Sequence, residues 1–249
     1  MWIQSEDDLA ALKRVGKAVA AALHEMLRAA RPGLATAALD AIGAQVLARH
    51  GARPAPKAVY GFPGTACISV NDQAAHGIPG ARVIKAGDMV NIDVSAELGG
   101  YYADAGATIA LRPVSEEAKK LCQCSQSALA KAIGAARAGA GINEIGRTIQ
   151  EEAARAGLTV IRNLCGHGVG RKLHEYPGHI RNFHFPLDRR RLTKGLVIAI
   201  ETFLSNGAEY VVAAGDGWTL KTPDGSLAAQ CEHTVVVTEG EPIVVTAWH

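Results

Sequence analysis

Asp93 and Asp104, separated by ten residues, sit in MVNIDVSAELGGYYADAGATIAL (residues 89–111), a stretch that otherwise reads as apolar β-structure. Val90, Ile92 and Val94 alternate with Asn91 and Asp93, Gly99-Gly100 supplies a turn, and residues 107–111 resume the strand. A carboxylate in such surroundings must pair with another charge or bind a metal. The plainer reading places both aspartates at strand ends, in turns. Three further polar residues interrupt apolar or glycine-rich segments: His167 in CGHGVG, Glu201 after LVIAI, and Glu232 before HTVVV, which ends at Val237. Four carboxylates gathered without a base repel one another and rise in pKa. Two divalent cations balance their charge, and bridging carboxylates hold such ions about 3.5–4 Å apart in two-metal hydrolases. Oxygen donors with one imidazole suit Mn, Fe, Co or Zn. A water between two such ions would be acidified into a nucleophile while one ion polarised a carbonyl. The chain has no HExxH, so the residues alone leave the five-ligand reading beside the plainer one.

The elements that must position these groups are read from periodicity. Leu9, Leu12, Val15, Val19, Leu23 and Met26 predict a helix over 6–30 capped by Ser5, and Leu39, Ile42, Val46 and Leu47 predict a second from Thr36 to Gly51. Residues 52–66 read as a loop with a short extended piece, 67–70 as a strand, and 71–72 and 85–88 as turns. Helices follow over 115–137 and, capped by Asn143, to Gly157; residues 158–161 read as strand and 178–192 as loop. Residues 196–200, 218–222 and 232–237 complete the strands.

The halves echo each other. Arg31, Gly33, Ala48, Arg49 and Gly51 recur 106 residues later as Arg137, Gly139, Ala154, Arg155 and Gly157, while Gly87 and Asp93 recur 108 residues later as Gly195 and Glu201. The expected fold is α+β: two halves related by a pseudo-twofold, an antiparallel sheet covered by helices, in one domain spanning 1–249. Asp93 and Glu201 become counterparts, as do Asp104 and Glu232, each of the latter beginning a strand. His76-Gly-Ile-Pro is matched by His174-Glu-Tyr-Pro.

Composition bounds the function. With 249 residues, 48% of them apolar, the chain can bury a substantial core. A net charge of +2 gives no electrostatic footprint for nucleic acid or an anionic membrane. The run Arg189–Arg191 with Lys194 reads as a solvated loop. No signal peptide or membrane span is expected. Five scattered cysteines without a CxxC argue against a disulfide framework or structural zinc and fit a reducing cytoplasm.

The order Asp-x10-Asp, His, Glu, Glu resembles the dimetal site of the pita-bread metallopeptidases. CISVNDQAAHGIPG, GDMVNIDV, CGHGVGRKLHEYPG, DGWTLKT and SLAAQCEHTVVVT resemble methionine aminopeptidases of the type I, bacterial class, from the first helix to Val237. The resemblance implies the pita-bread fold and two divalent ions (Co, Mn, Fe or Zn). Asp93 would chelate one ion, Asp104 and Glu232 would bridge both, and His167 and Glu201 would complete the other shell. Glu201 would also shuttle a proton. His76 and His174 would contact the scissile peptide, His174 stabilising the oxyanion. Phe62, Cys67 and Trp218 match positions of the pocket for methionine, and the substrate would be the N-terminal methionine of nascent chains. A cytoplasmic monomer is expected, with no specific nucleic-acid or membrane partner; ribosome association is left open. His24, His50, His179, His184, His233 and His249 are read as structural or solvated, His233 pointing away from Glu232.

The chain departs from the family pattern at Thr202 (usually proline), at Val59 and Leu173 (often aromatic), at Tyr176 (often acidic) and at Ala75 (often cysteine). These bear on pocket shape. The rival readings are an Xaa-Pro aminopeptidase or prolidase of the same fold, and a non-catalytic pita-bread binding domain.

Overall fold

Ser5 accepts a hydrogen bond from the Asp8 amide at 3.1 Å and starts α1, Glu6–Ala29, in the computed structural model, which describes residues 1–247. The buried face of α1 carries Leu12, Val15, Val19, Leu23 and Met26. α2, Thr36–Arg49, packs beside it at Gly43, where a Cβ would come within 2.5 Å of the Met26 sulfur. Residues 52–66 hold more than a loop: β1, Arg53–Pro54, runs into a short helix, α3, Ala55–Tyr60. Of the three prolines that suggest irregular chain, Pro54 caps the helix and Pro56 lies in its first turn, where no N–H is needed, while Pro63 follows Gly61, which ends the helix at φ 70°.

Strands β2 (Cys67–Val70), β3 (Gln73–Ala75), β4 (Met89–Leu98) and β5 (Tyr101–Ala110) complete the first half. β4 and β5 form a ten-pair hairpin closed by Gly99 and Gly100, both at positive φ as a two-residue hairpin loop requires. The second half contains α4 (Glu116–Ala135), α5 (Asn143–Arg155), β6 (Thr159–Val160), β7 (Cys165–Gly168), β8 (Glu175–Arg181), β9 (Val197–Ser205), β10 (Val212–Ala213), β11 (Leu220–Lys221), β12 (Ala228–Val236) and β13 (Ile243–Val244). Asn143 is the first residue of α5, whose cap position is Ile142, without a side-chain cap. β8 takes in residues 178–181 of the expected loop, and Trp218 lies outside β11. β9 and β12 run past their apolar stretches because nine successive residues of each pair with the other, so ladder pairing carries polar residues along. Asp104 and Glu232 therefore lie inside β5 and β12 and do not begin them.

The sheet order is β1-β4-β5-β12-β9-β7-β8, every neighbour antiparallel, with β2 on β4, β6 on β9 and β13 on β12. It is symmetric about the β5–β12 seam: β4 and β5 correspond to β9 and β12, the pseudo-twofold expected of the pita-bread fold. One apolar core joins α1 and α2 to Ile92, Val94, Ala103 and Ala105; another joins α4 and α5 to Ile198, Ile200, Cys231 and Val235. Alternation along the strands turns the intervening residues to the sheet's other face.

Candidate metal centre

Asp93 pairs with Gly106 across β4–β5, Gly106 with Glu232 across β5–β12, and Glu232 with Glu201 across β12–β9. Residues directly opposite one another share a face, so three carboxylates and a glycine form one row over four strands. Asp104 is two residues from Gly106, and His167 pairs with Ala199, two residues from Glu201, which puts both on that same face. His167 Nε2 lies 3.4 Å from Glu201 Oε1 and 3.9 Å from Asp104 Oδ2. Ligand atoms of Asp104, His167 and Glu232 all fall within 4.8 Å of one another.

Gly106 has a positional reason. A Cβ there would meet Gln230 Oε1 at 2.2 Å. The Gln230 amide fills that space, donating to Glu232 Oε2 at 2.9 Å and accepting from Asn91 Nδ2 at 2.8 Å. The other Glu232 oxygen, Oε1, and Asp104 Oδ1 are buried and have no hydrogen-bond partner among the described residues. Burial raises the pKa of all four carboxylates. Asp93 is pushed up to about 6 by burial, against a hydrogen bond from Asp104. Asp104 rises further through burial and the charges of Glu232 and Asp93; Glu232 through burial, Glu201 and Asp93; Glu201 through burial, Asp93 and Asp104. Orphaned carboxylate oxygens in a desolvated cluster fit divalent cations, which satisfy the oxygens and return the groups to their charged form.

His167 is prepared in the complementary way. Its Nδ1 is 2.9 Å from the Gly168 carbonyl, which can only accept, so Nδ1 carries the hydrogen and Nε2 turns a lone pair to the carboxylates. Burial lowers its pKa to about 3, keeping the ring neutral.

A cavity of about 470 Å³ opens over this row, lined by Phe62, Cys67, His76, His174 and Trp218 and by Asp93, Asp104, His167 and Glu201. Phe62 meets Trp218 edge to face, ring centroids 5.2 Å apart. Cys67 pairs with Asp93 across β2–β4, and burial with the neighbouring Asp93 charge holds its thiol protonated. His76 adopts φ 54°, uncommon for a residue with a side chain, and is followed by Gly77, where a Cβ would lie 2.3 Å from the Ile68 carbonyl oxygen. The His174 ring stands 4.0 Å from that of His167, and the Tyr60 hydroxyl is 2.6 Å from His174 Nδ1. Burial lowers the pKa of His76 and His174, the latter also through His76; burial and Asp104 raise that of Tyr60.

Several lining residues escape sequence reasoning. Tyr60 ends α3, a helix that the prolines and glycines of residues 52–66 conceal; Val59 beside it is exposed and outside the cleft. His179 lines the cleft, its Nδ1 3.3 Å from Cys165 Sγ, so it is neither buried in a core nor merely solvated; the extension of β8 carries it there. Phe203 also lines the cavity, and Leu173 lines it as its place in the family pattern implied. His233 points away from the row, toward Thr246, at 3.0 Å. His249 lies outside the described residues. Thr202 is buried behind the site, its hydroxyl 2.7 Å from that of Ser125. Tyr176 stacks on Trp2, centroids 5.9 Å apart, away from the cavity.

Residues 10–239 match the model of metallopeptidase family M24. Methionine aminopeptidase 2 of Bacillus subtilis is 51% identical over 247 residues, 99% of each chain. Methionine aminopeptidase 1 of the same organism is 37% identical over 93% of each. The crystal structure of methionine aminopeptidase from Thermotoga maritima superposes with a TM-score of 0.96 at 36% identity, over the whole of both chains. A prolidase from Pyrococcus furiosus shares the fold at a TM-score of 0.78 and 20% identity, this chain covering 66% of it.

Proposed function

The chain belongs to metallopeptidase family M24, and from that membership and the cleft just described we propose that it removes the N-terminal methionine from peptides and nascent proteins, using divalent metal. The observation that carries the reading is the row Asp93, Glu232, Glu201 with Asp104 and His167 on the same face, two of its buried oxygens unpartnered, under a cavity with an apolar, sulfur-containing wall. Asp93, Asp104, His167, Glu201 and Glu232 would hold the metal, two ions balancing four carboxylates; Co, Mn, Fe and Zn suit the donor set. The bound metal supplies Lewis acidity at the scissile carbonyl and activates the attacking water.

The protein's own groups do the rest. Phe62, Cys67 and Trp218 receive the methionine side chain in a polarisable pocket. His76 and His174 flank the scissile peptide, His174 donating to the carbonyl oxygen as negative charge develops there. Glu201 takes the proton of the attacking water and passes it to the leaving amine. Gln230 and Asn91 hold Glu232 in place. We further propose that the whole chain acts as one catalytic domain, as a cytoplasmic monomer; no helix among the described residues is long and apolar enough to cross a membrane.

The test is hydrolysis of Met-Ala-Ser against an Xaa-Pro peptide by protein whose metal content has been measured, before and after addition of Co or Mn. Release of methionine from Met-Ala-Ser is expected. Cleavage of the Xaa-Pro peptide alone would overturn the assignment.

A further inference from the structure

We propose that Tyr60 is a positioning residue for the reaction: its hydroxyl, donating to Nδ1 of His174, fixes the imidazole so that Nε2–H is the donor the ring offers to the scissile carbonyl. The proposal rests on the aminopeptidase reading and adds a residue outside the metal set.

The hydrogen-bond direction follows from the distance and the groups. The separation of Tyr60 Oη and His174 Nδ1 is 2.6 Å. Ring N–H donors settle near 2.9–3.0 Å from oxygen, whereas hydroxyl donors come closer. Imidazole nitrogen without its hydrogen is a ready acceptor for a phenol. No other hydrogen bond to the Tyr60 hydroxyl or the His174 ring is found among the described residues. Nδ1 is thus the acceptor, which leaves the hydrogen of a neutral ring on Nε2. His167, its ring only 4.0 Å away, is set the other way by the Gly168 carbonyl. Two adjacent imidazoles therefore present opposite faces of the same chemistry: a lone pair toward the carboxylates and an N–H toward the substrate.

The local fold makes this hydrogen bond possible. β1 pairs with β4, Pro54 opposite Ala96, and anchors the start of α3 to the sheet. Gly61, at φ 70° with its amide bonded to the Lys57 carbonyl, ends α3 immediately after Tyr60. His174 lies between β7 and β8 in the other half. The Tyr60–His174 bond therefore spans the cleft and restrains an imidazole that no other hydrogen bond among the described residues holds.

Tyr60→Phe keeps the ring and removes only the hydroxyl. On the metal-loaded enzyme with Met-Ala-Ser, kcat is expected to fall about three- to tenfold, as loss of one hydrogen bond implies, with KM unchanged within about twofold. Imidazole 15N resonances of the zinc-loaded protein give a readout independent of turnover. Wild-type His174 should carry its hydrogen on Nε2, and Tyr60→Phe should shift the His174 resonances while leaving those of His167 in place. A wild-type His174 protonated on Nδ1 would overturn the proposal. So would a variant with unchanged kcat, with unmoved His174 resonances, or with a raised KM at full kcat. A wild-type protein that leaves Met-Ala-Ser uncut sinks the aminopeptidase reading itself; an active wild type with an unaltered Tyr60→Phe variant sinks this proposal alone.

Discussion

The first half of the sheet closes its central hairpin with Gly99 and Gly100, whereas the corresponding strands of the second half, β9 and β12, are joined through residues 206–227. That excursion folds on itself: Asp216 accepts from the amides of Trp218 and Thr219 at 2.9 and 2.8 Å, and Asn206 accepts from the Leu227 amide at 2.9 Å. Its strand β11 pairs with β3, Leu220 opposite Ala75, so the second half's connection docks on the first half's segment just before His76. Trp218 reaches Phe62 by this route. The carboxylates of the two halves match; the connections do not. Paired strands thus supply charge at fixed spacing, and the unmatched connections shape the cleft wall beside it.

The sharpest way to break this comparison is to remove one carboxylate from each half. Asp104→Asn and Glu232→Gln should each lower kcat/KM on Met-Ala-Ser by more than about a thousandfold, the two losses being similar. A variant retaining near-normal turnover would show that the halves are not chemically equivalent. The support behind the row is less even, because Gln230 and its hydrogen bond to Glu232 belong to the second half. Gln230→Ala should weaken metal affinity about 10- to 100-fold by calorimetric titration; unchanged affinity would mean that strand pairing alone aims Glu232.

A pH experiment addresses the charge both halves contribute. The four carboxylates have pKa values raised by folding. Groups of that kind favour the folded state at low pH and lose their contribution as pH rises through the folded pKa. The histidines shift downward and act in the opposite sense, but only below the unfolded value near 6.5. Above about pH 6.5 the carboxylates raised well beyond their ordinary range set the slope. Chelated protein should lose stability across that window, by up to about 1.4 kcal/mol per pH unit for each titrating group. Metal-loaded protein should not, since its carboxylates are already ionised. Parallel denaturant titrations of the two forms decide it: equal slopes would count against cations at the row. The smallest effect is expected behind the site. Thr202→Val removes the hydroxyl pair with Ser125 and should cost about 1–3 kcal/mol in urea unfolding, with turnover within about twofold.

How much of this was readable in advance follows the same division. Asp93, Asp104, Glu201 and Glu232 stand out because a carboxylate in an apolar strand has few explanations, and the echo between the halves pairs them before any coordinates are known. What sequence alone could not supply was the register that lines up Asp93, Gly106, Glu232 and Glu201, since alternation gives a face but not a partner. Tyr60 and His179 were illegible for a different reason. Each belongs to a segment whose proline and glycine content reads as irregular chain, while in the fold Pro54 and Pro56 open a helix and Gly178 continues β8. The ladder also lengthened β9 and β12 beyond their apolar runs, which is why Glu232 proved to be mid-strand.

The β5–β12 seam has a consequence for how the protein comes into being. Gly106 and Glu232, paired across it, are 126 positions apart, and β12 follows every other strand of the seven in the sheet order. Contacts so distant along the chain form late, because the intervening loop must be closed before pairing rewards it. A growing copy that has emerged only through β9 already carries Asp93, Asp104, His167 and Glu201, yet β5 has no neighbour on that edge and Glu232 does not exist. On the proposed ligand set, peptidase competence is thereby withheld until β12 has been made, and a fragment ending at β9 is an inert one.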